Sequence, residues 1–241
     1  MRFLLNIGNT HTQIARDGAE GIELLAAVPT ADLLKQGSIT HLDQSAAPWS
    51  AKAACVVPAV QQALQKQYPG QILFISSTAY PELDFSRYDV RTLGADRIAN
   101  AAAAYSLGIG AILVLDFGTC VTTEAIDTKG VFRGGAILPG RAMLRRSLAA
   151  FTAQLPEIPM YEECPPPLGL TTAGAIAAGV DLGIIGTVRQ IIEKTRQEPG
   201  LEHCRTIAVG GDAAYFMQNI PGLEAGPEAF TLRGIRLAKG C

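Results

Sequence analysis

The sequence predicts an α/β fold made of two similar halves, and two observations predict it. The first is Ile112 to Thr123, ILVLDFGTCVTT, in which four aliphatic residues break into an acid, a glycine and a set of hydroxyls. Four aliphatics are too few for a helix of ordinary length and suit a central strand covered on both faces. The second is a copy of that pattern at the start of the chain. Phe3 to Thr12 superposes on Leu113 to Thr122 at a constant offset of 110, which sets Leu5 on Leu115, Asn6 on Asp116, Gly8 on Gly118, Asn9 on Thr119 and Thr12 on Thr122. Two unrelated strand turns can give such a match, but an offset close to half the chain favours a repeat. Two α/β halves facing each other across a cleft would set both loops against one nucleotide.

The loops have the chemistry for that. Gly118 has no Cβ, so the chain can turn sharply and bring its N–H groups close to an anion, while Thr119, Thr122 and Thr123 add hydroxyl donors. Asp116, where the strand meets solvent, supplies the carboxylate that a magnesium ion accompanying a nucleotide phosphate needs.

In chain order, Arg2 to Ile14 reads as a hairpin with its turn near Ile7 to Thr10. Gln36 to Ser50 shows no usable period and reads as connecting loop and helix, with Trp49 as a packing residue. Ala53 to Val57 is a short buried strand, and Pro58 leads into a helix over Ala59 to Tyr68, as proline at a first helical turn commonly does. Ile72 to Ile75 is a third strand. In Tyr88 to Arg97, YDVRTLGADR, Gly94 ends an extended segment and Asp96 falls at the start of a helix running through Tyr105. A carboxylate there can cap the helix or act as a base, and the residues alone leave both open. Ile98 to Phe117 is the stretch to weigh as a membrane span. Asn100, Ser106, Gly108 and Gly110 make it instead an alanine-rich helix, a turn and the central strand.

Val131 to Gly140 reads as a strand closing on Gly134 and Gly135, with Pro139 and Gly140 before a helix; the paired glycines permit close approach to a substrate or simply a tight turn. Arg141, Arg145 and Arg146 on that helix read as a solvated face. Pro156 to Pro167 carries five prolines and reads as an ordered loop or lid without regular structure. Thr172, a natural N-cap, opens a helix through GVDLGIIG. Ile207 to Val209 is a strand, Gly210-Gly211-Asp212 its turn, and Ala213 to Met217 the next helix.

Composition narrows the function class. With 241 residues, 48% hydrophobic and 17% charged, the chain can bury one large core or two small ones. A net charge of −2 and a pI near 5.9 leave no positive field for binding nucleic acid by bulk electrostatics. The five cysteines (Cys55, Cys120, Cys164, Cys204, Cys241) form no C-x-x-C pair, which suits a reducing compartment. Phe3 to Leu5 is too short for the apolar region of a signal peptide. The expectation is a cytoplasmic protein with no membrane and no nucleic-acid partner.

The run LLNIGNT near the start, LGADRIANAAAA at 93 to 104, LDFGTCVTT at 115 to 123, GGAILPG at 134 to 140, TAGAIAAG at 172 to 179 and GGDA at 210 to 213 resemble, in order and nearly end to end, the motif series of type III pantothenate kinase. That family belongs to the acetate kinase, sugar kinase and actin superfamily. The resemblance implies two ribonuclease H-like, actin-like halves, 1–110 and 111–241, around a nucleotide cleft, and ATP-dependent phosphorylation of pantothenate, the entry step of coenzyme A synthesis. It implies that Asp96 is the general base for the pantothenate hydroxyl and that Arg97 binds the substrate carboxylate. Gly94, Ala95 and Thr172 would be further substrate contacts, and Tyr88 would line the pocket although it sits one residue closer to Asp96 than the family spacing. Asn6, Gly8, Asn9, Thr10, Gly118 and Thr119 become phosphate-loop groups, Gly210 and Gly211 lie at the adenosine end, and Asp116 is a cation ligand. The resemblance further implies a homodimer using magnesium and a monovalent cation, potassium or ammonium, held near Asp116.

This chain also departs from the family pattern. Asn6 stands where the first loop normally carries Asp, Cys120 and Val121 replace small and hydroxyl residues, and Glu124 stands where the family has Asp. Cys120 has no local His partner that would make it a nucleophile. Asn6 motivates a second reading, a degenerate member that binds ligand in a regulatory role with little or no turnover. Another small hydroxylated substrate is a third.

Overall fold

The structure, a computed structural model, describes residues 1–45 and 47–240; Ala46 and Cys241 lie outside it. Contacts divide the chain into two units, and the division is interleaved. The first holds Met1–Ile109, Lys129–Arg133 and the chain from Pro227 onward; the second holds Gly110–Thr128 and Gly134–Gly226.

The first unit is built on β1 (Arg2–Ile7), β2 (His11–Gly18), β3 (Gly21–Pro29), β4 (Ser50–Cys55) and β5 (Ile72–Phe74), in the order β3-β2-β1-β4-β5. β2 runs antiparallel to β1 and to β3, whereas β4 runs parallel to β1 and to β5. The aliphatic run explains the central place of β1: Phe3, Leu4, Leu5 and Ile7 are all buried. The helices α1 (Thr30–Gln36), α2 (Thr40–Asp43) and α3 (Pro58–Gln67) follow, with Pro58 in the first turn of α3. Trp49 packs edge-on against Phe3 and Tyr68, the packing role expected of it.

α4 (Ala95–Ser106) is buried over most of its length because its alanines let a neighbour come close. That neighbour is the last helix, α8 (Phe230–Leu237): a Cβ on Gly234 would lie 1.9 Å from the carbonyl oxygen of Ala99, so only glycine fits there. Thr231 Oγ1 also donates to Asn100 Oδ1 at 2.8 Å, and Lys52 Nζ donates to the carbonyls of Arg236 and Ala238. These contacts bring the end of the chain back to the first unit.

The second unit repeats the plan. β6 (Ile112–Phe117) pairs antiparallel with β7 (Cys120–Ile126) and parallel with β10 (Arg205–Val209), which pairs parallel with β11 (Leu223–Ala225). The order β7-β6-β10-β11 thus mirrors β2-β1-β4-β5, and α7 (Ala213–Asn219) links β10 to β11 as α3 links β4 to β5. β8 (Phe132–Gly134) carries the chain back from its excursion into the first unit, and β9 (Ile137–Pro139) pairs with the start of β7. The core holds Leu113, Leu115 and Phe117 with Ile184, Val188 and Phe216; the rings of Phe117 and Phe216 stack at 4.0 Å.

Register refines the repeat. β1 and β6 keep the offset of 110, but Asn6 pairs with Gln13 while Asp116 pairs with Thr122, an offset of 109 on the second strand. Thr12 therefore corresponds to Val121 and not to Thr122. The reason is the turn, three residues (Gly8, Asn9, Thr10) in the first unit against two (Gly118, Thr119) in the second.

Two other expectations change. α5 (Arg141–Phe151) does not present a solvated arginine face: Arg141 and Arg145 are 3% and 1% exposed, and only Arg146 faces water. α6 (Thr172–Thr195) is capped by Thr171, whose hydroxyl accepts the N–H of Gly174, so Thr172 is the first helical residue and not the cap. Residues 98–117 form the end of α4, a turn and β6 as expected, but among the described residues one helix that the sequence reading did not weigh, α6, is long and apolar enough to cross a membrane; its Ile184, Ile185, Val188 and Ile192 are core residues of the second unit.

Candidate active site

In the first unit the β1–β2 turn is held from below. The N–H of Gly8 donates to the carbonyl of His11 at 3.1 Å, Thr30 Oγ1 donates to the carbonyl of Gly8 at 2.7 Å, and the N–H of Thr30 donates to the carbonyl of Thr10 at 2.9 Å. Thr12 and Thr30 share a hydrogen bond at 2.9 Å inside the core. Asn9 and Thr10 are left exposed at the tip. Asn6 is half-buried, and its amide donates to Gln13 Oε1 at 3.2 Å.

The same unit joins that turn to the start of α4. The N–H of Val56 donates to the carbonyl of Ile7, and Gly94 packs against Val56, whose Cγ1 would be 3.5 Å from a Cβ there. Gly94 is the N-cap of α4 and no side chain caps the helix, so Asp96 does not act as its cap. Instead Asp96 Oδ1 accepts the N–H of Arg97 at 2.8 Å, and a Cβ on Gly94 would come within 2.6 Å of that oxygen. Burial pushes the Asp96 carboxyl above its ordinary range, against the opposing pull of the Arg97 N–H and guanidinium. Arg97 is buried, its Nη1 donates to the Tyr88 hydroxyl at 3.4 Å, and its Cζ lies 5.9 Å from the centres of the Tyr88 and Phe132 rings. Gly94, Ala95, Asp96, Arg97 and Tyr88 are thus assembled in one place.

In the second unit three turns converge at the end of β6. The N–H of Gly118 donates to the carbonyl of Cys120, the N–H of Gly140 to that of Thr119, and the N–H of Asp212 to that of Phe117, each at 3.0 Å. The glycines make this possible. A Cβ on Gly140 would lie 2.4 Å from the carbonyl oxygen of Gly118, and Gly210, at φ +91°, would place one 2.6 Å from both Asp116 Oδ1 and the Phe117 carbonyl oxygen. Gly211 faces open space. Among the described residues no three His, Cys, Asp or Glu side chains cluster as a metal cage. Asp116, a half-buried carboxylate beside glycine turns, fits magnesium, which is commonly held by one or two carboxylates plus substrate phosphates.

Thr172 belongs to a different feature, an apolar groove of about 740 Å³ between α5 and α6 lined also by Leu138, Leu148, Gly179 and Thr187. Cys120 starts β7 opposite Pro139, and Glu124 is fully buried on β7 opposite Val114.

Sequence reasoning missed the buried ion cluster behind the second unit's turns. Arg141 forks onto Asp181, Nε to Oδ1 at 2.9 Å and Nη2 to Oδ2 at 3.3 Å, and Arg145 Nη2 reaches Asp181 Oδ2 at 2.8 Å. Two signals were available: arginines four apart share a helix face, and Asp181 is a lone charge in the apolar run GVDLGIIG. Thr30 had no comparable signal.

Known proteins resemble this chain over most of its length. A family model described as type III pantothenate kinase matches residues 2–194. The type III pantothenate kinase of Endomicrobium trichonymphae is 36% identical over 188 residues, 76% of this chain and 71% of the relative. That of Methylacidiphilum infernorum is 31% identical over 239 residues, 98% of this chain and 86% of the relative. Among solved structures, a Baf family protein from Campylobacter jejuni superposes with a TM-score of 0.61 at 19% identity, covering 97% of this chain and 95% of that one. A 2-dehydro-3-deoxygalactonokinase-type protein from Sinorhizobium meliloti does so at 0.59 and 16%, covering 98% and 96%. At such identities these structures speak to the fold alone, which is that of the sugar kinase and actin-like proteins.

Proposed function

The chain belongs to the type III pantothenate kinase family, and from that premise we propose that it transfers the γ-phosphoryl group of ATP to the terminal hydroxyl of pantothenate, the first step of coenzyme A biosynthesis. The observation that carries the reading at residue level is the Asp96–Arg97 pair at the start of α4. Phosphoryl transfer asks little covalent work of a protein and much positioning, so a base for the attacking hydroxyl and a clamp for the rest of the acceptor are the parts to find.

Asp96 takes the proton of the pantothenate hydroxyl as the oxygen attacks. Its raised affinity for a proton, caused by burial, makes it a better base than an exposed carboxylate. Arg97 receives the pantothenate carboxylate, since a planar guanidinium donates two parallel hydrogen bonds, with Tyr88, Gly94 and Ala95 as further contacts of the acceptor; Thr172, which lines the α5–α6 groove, is assigned to the acceptor by the family resemblance alone. Asn9, Thr10 and Thr119 offer amide and hydroxyl groups to the ATP phosphates; Gly8 and Gly118, whose own N–H groups close the two turns, let the phosphates approach for want of a Cβ; Asn6 stands beside the first turn, and Gly210 and Gly211 leave room toward the adenosine. Magnesium, when bound, neutralises charge on the phosphoryl oxygens; Asp116 is the carboxylate we assign to hold it, and a potassium or ammonium ion is expected near the same residue.

A homodimer is supported by apolar residues that a lone chain would leave in water at the end of α5 and just before α6: Phe151, Leu168 and Leu170 are 87%, 80% and 97% exposed. A cytoplasmic setting is supported by the unpaired thiols of Cys55, Cys120, Cys164 and Cys204. The test is transfer of labelled phosphate from ATP to pantothenate by purified protein with magnesium and potassium present. Labelled phosphopantothenate supports the reading; its absence from a folded sample, with ATP bound, overturns it.

A further inference from the structure

Resting on the proposal that the second unit binds ATP, we infer that Arg141 is a positioning residue for the nucleotide turns. The side chain occupies a point where four segments meet. It is held by Asp181 in α6 through the two-pronged contact described above. Its Nη2 donates to the carbonyl of Tyr161, in the proline-rich stretch, at 2.6 Å. Its Cζ sits 3.4 Å from the centre of the Tyr215 ring in α7, as a guanidinium stacks on an aromatic face. Its Nη1 lies 3.9 Å from Asp212 Oδ1, in the turn after β10.

Those fixtures bear on the phosphate side through two neighbouring backbone bonds. Gly140, the residue before Arg141, donates to the carbonyl of Thr119, and Asp212 donates to the carbonyl of Phe117. The turn of Phe117 to Thr119 is therefore gripped on two sides by segments that the one guanidinium ties together. Gly118 and Thr119 are exposed, and these backbone bonds act together with the stacking of Phe117 on Phe216 to hold the turn. A buried ion cluster that served stability alone could be replaced by apolar residues at no loss of function. This one costs burial of three charged side chains, and its position at the turns gives that cost a use.

Arg141→Met is the informative variant, because it keeps the bulk of the side chain while Asp181 retains Arg145 as its partner. The expected result is a roughly tenfold weaker grip on ATP, about 1.4 kcal/mol, with the KM for pantothenate within twofold of wild type. Arg141→Lys, which keeps the charge but loses the fork and the stack, should recover only part of the loss. Binding is measured with magnesium and a non-hydrolysable ATP analogue by calorimetry, so it does not depend on the acceptor. Wild-type affinity for the analogue in a folded Arg141→Met protein, or equal rises in both KM values, would overturn the positioning role. Wild-type protein that binds the analogue but leaves pantothenate untouched would overturn the proposed function alone. Wild-type protein that binds no nucleotide would overturn both.

Discussion

Asp96→Asn separates catalysis from stability, because the two should move in opposite directions. The Asn Oδ1 can accept the Arg97 N–H that Asp96 now accepts at 2.8 Å, so the start of α4 keeps its shape. The lost base should cost on the order of 10²- to 10⁴-fold in kcat, about 3–5.5 kcal/mol of transition-state stabilisation. Stability has the other sign. Burial raises the proton affinity of Asp96 in the folded protein, so this residue's contribution is greatest below the unfolded carboxylate pKa and falls as pH rises through the folded one. At neutral pH the ionised carboxylate is carried at a cost that the neutral amide does not incur, and the variant should melt higher than wild type. In wild type, kcat/KM should rise with pH until Asp96 is ionised and then level off, the midpoint lying above the ordinary carboxylate value. Phosphate transfer across pH 4 to 8 and a melting curve at pH 7 decide it. A variant within threefold of wild-type kcat would refute the base, and one that melts lower would refute the reading of its burial.

Three more perturbations follow from the same contacts. Arg97→Met should raise the KM for pantothenate about 10- to 100-fold, the worth of a charge-assisted pair, while leaving the KM for ATP alone; steady-state kinetics with each substrate varied will show it. Gly210→Ala forces φ +91° on a residue with a Cβ and sets that atom 2.6 Å from Asp116 Oδ1 and the Phe117 carbonyl oxygen. The backbone term alone is roughly 1–2 kcal/mol, and at roughly 2–4 °C per kcal/mol for a chain of this size the melting point should fall by about 2–8 °C. Calorimetric titration of the variant should also show weaker nucleotide binding. Asn6→Asp restores a charge at the end of β1, and Gln13 can turn its amide to donate where it now accepts; turnover should rise and the magnesium needed for half-maximal rate should fall, and unchanged kinetics would remove the idea that Asn6 limits cation binding.

Much of this was legible in the sequence because it rests on local rules. A four-residue aliphatic run ending in an acid and a glycine defines a strand and its turn without reference to anything distant, and both copies, β1 and β6, stand where the pattern puts them. Pro58 and the glycines before α4 and α5 mark helix starts for similarly local reasons. What stayed hidden depends on partners far along the chain. No property of residues 227–240 tells that α8 returns to α4, since the deciding fact is the fit of Gly234 on the backbone of Ala99. The one-residue difference between the two turns was masked because a threonine happens to stand at both Thr12 and Thr122, and only strand register exposes it.

The arginines of α5 show the limit most clearly. A cationic helix face is solvated unless something pays for its burial, and here the counter-charge is Asp181, forty residues after Arg141. Read singly, the basic helix looks exposed and the acid in α6 looks misplaced. Read as a pair, each explains the other: a lone carboxylate in an apolar helix requires buried cations, and the i, i+4 spacing of Arg141 and Arg145 supplies two on one face. The same reasoning separates the two helices that open beside a glycine turn. α4 begins with an acid whose proton affinity burial raises, whereas α5 begins with a cation already committed to three fixed partners. On the proposed function, proton transfer therefore falls to Asp96 and the holding of shape to Arg141, so a change at the first should act on kcat and a change at the second on nucleotide affinity.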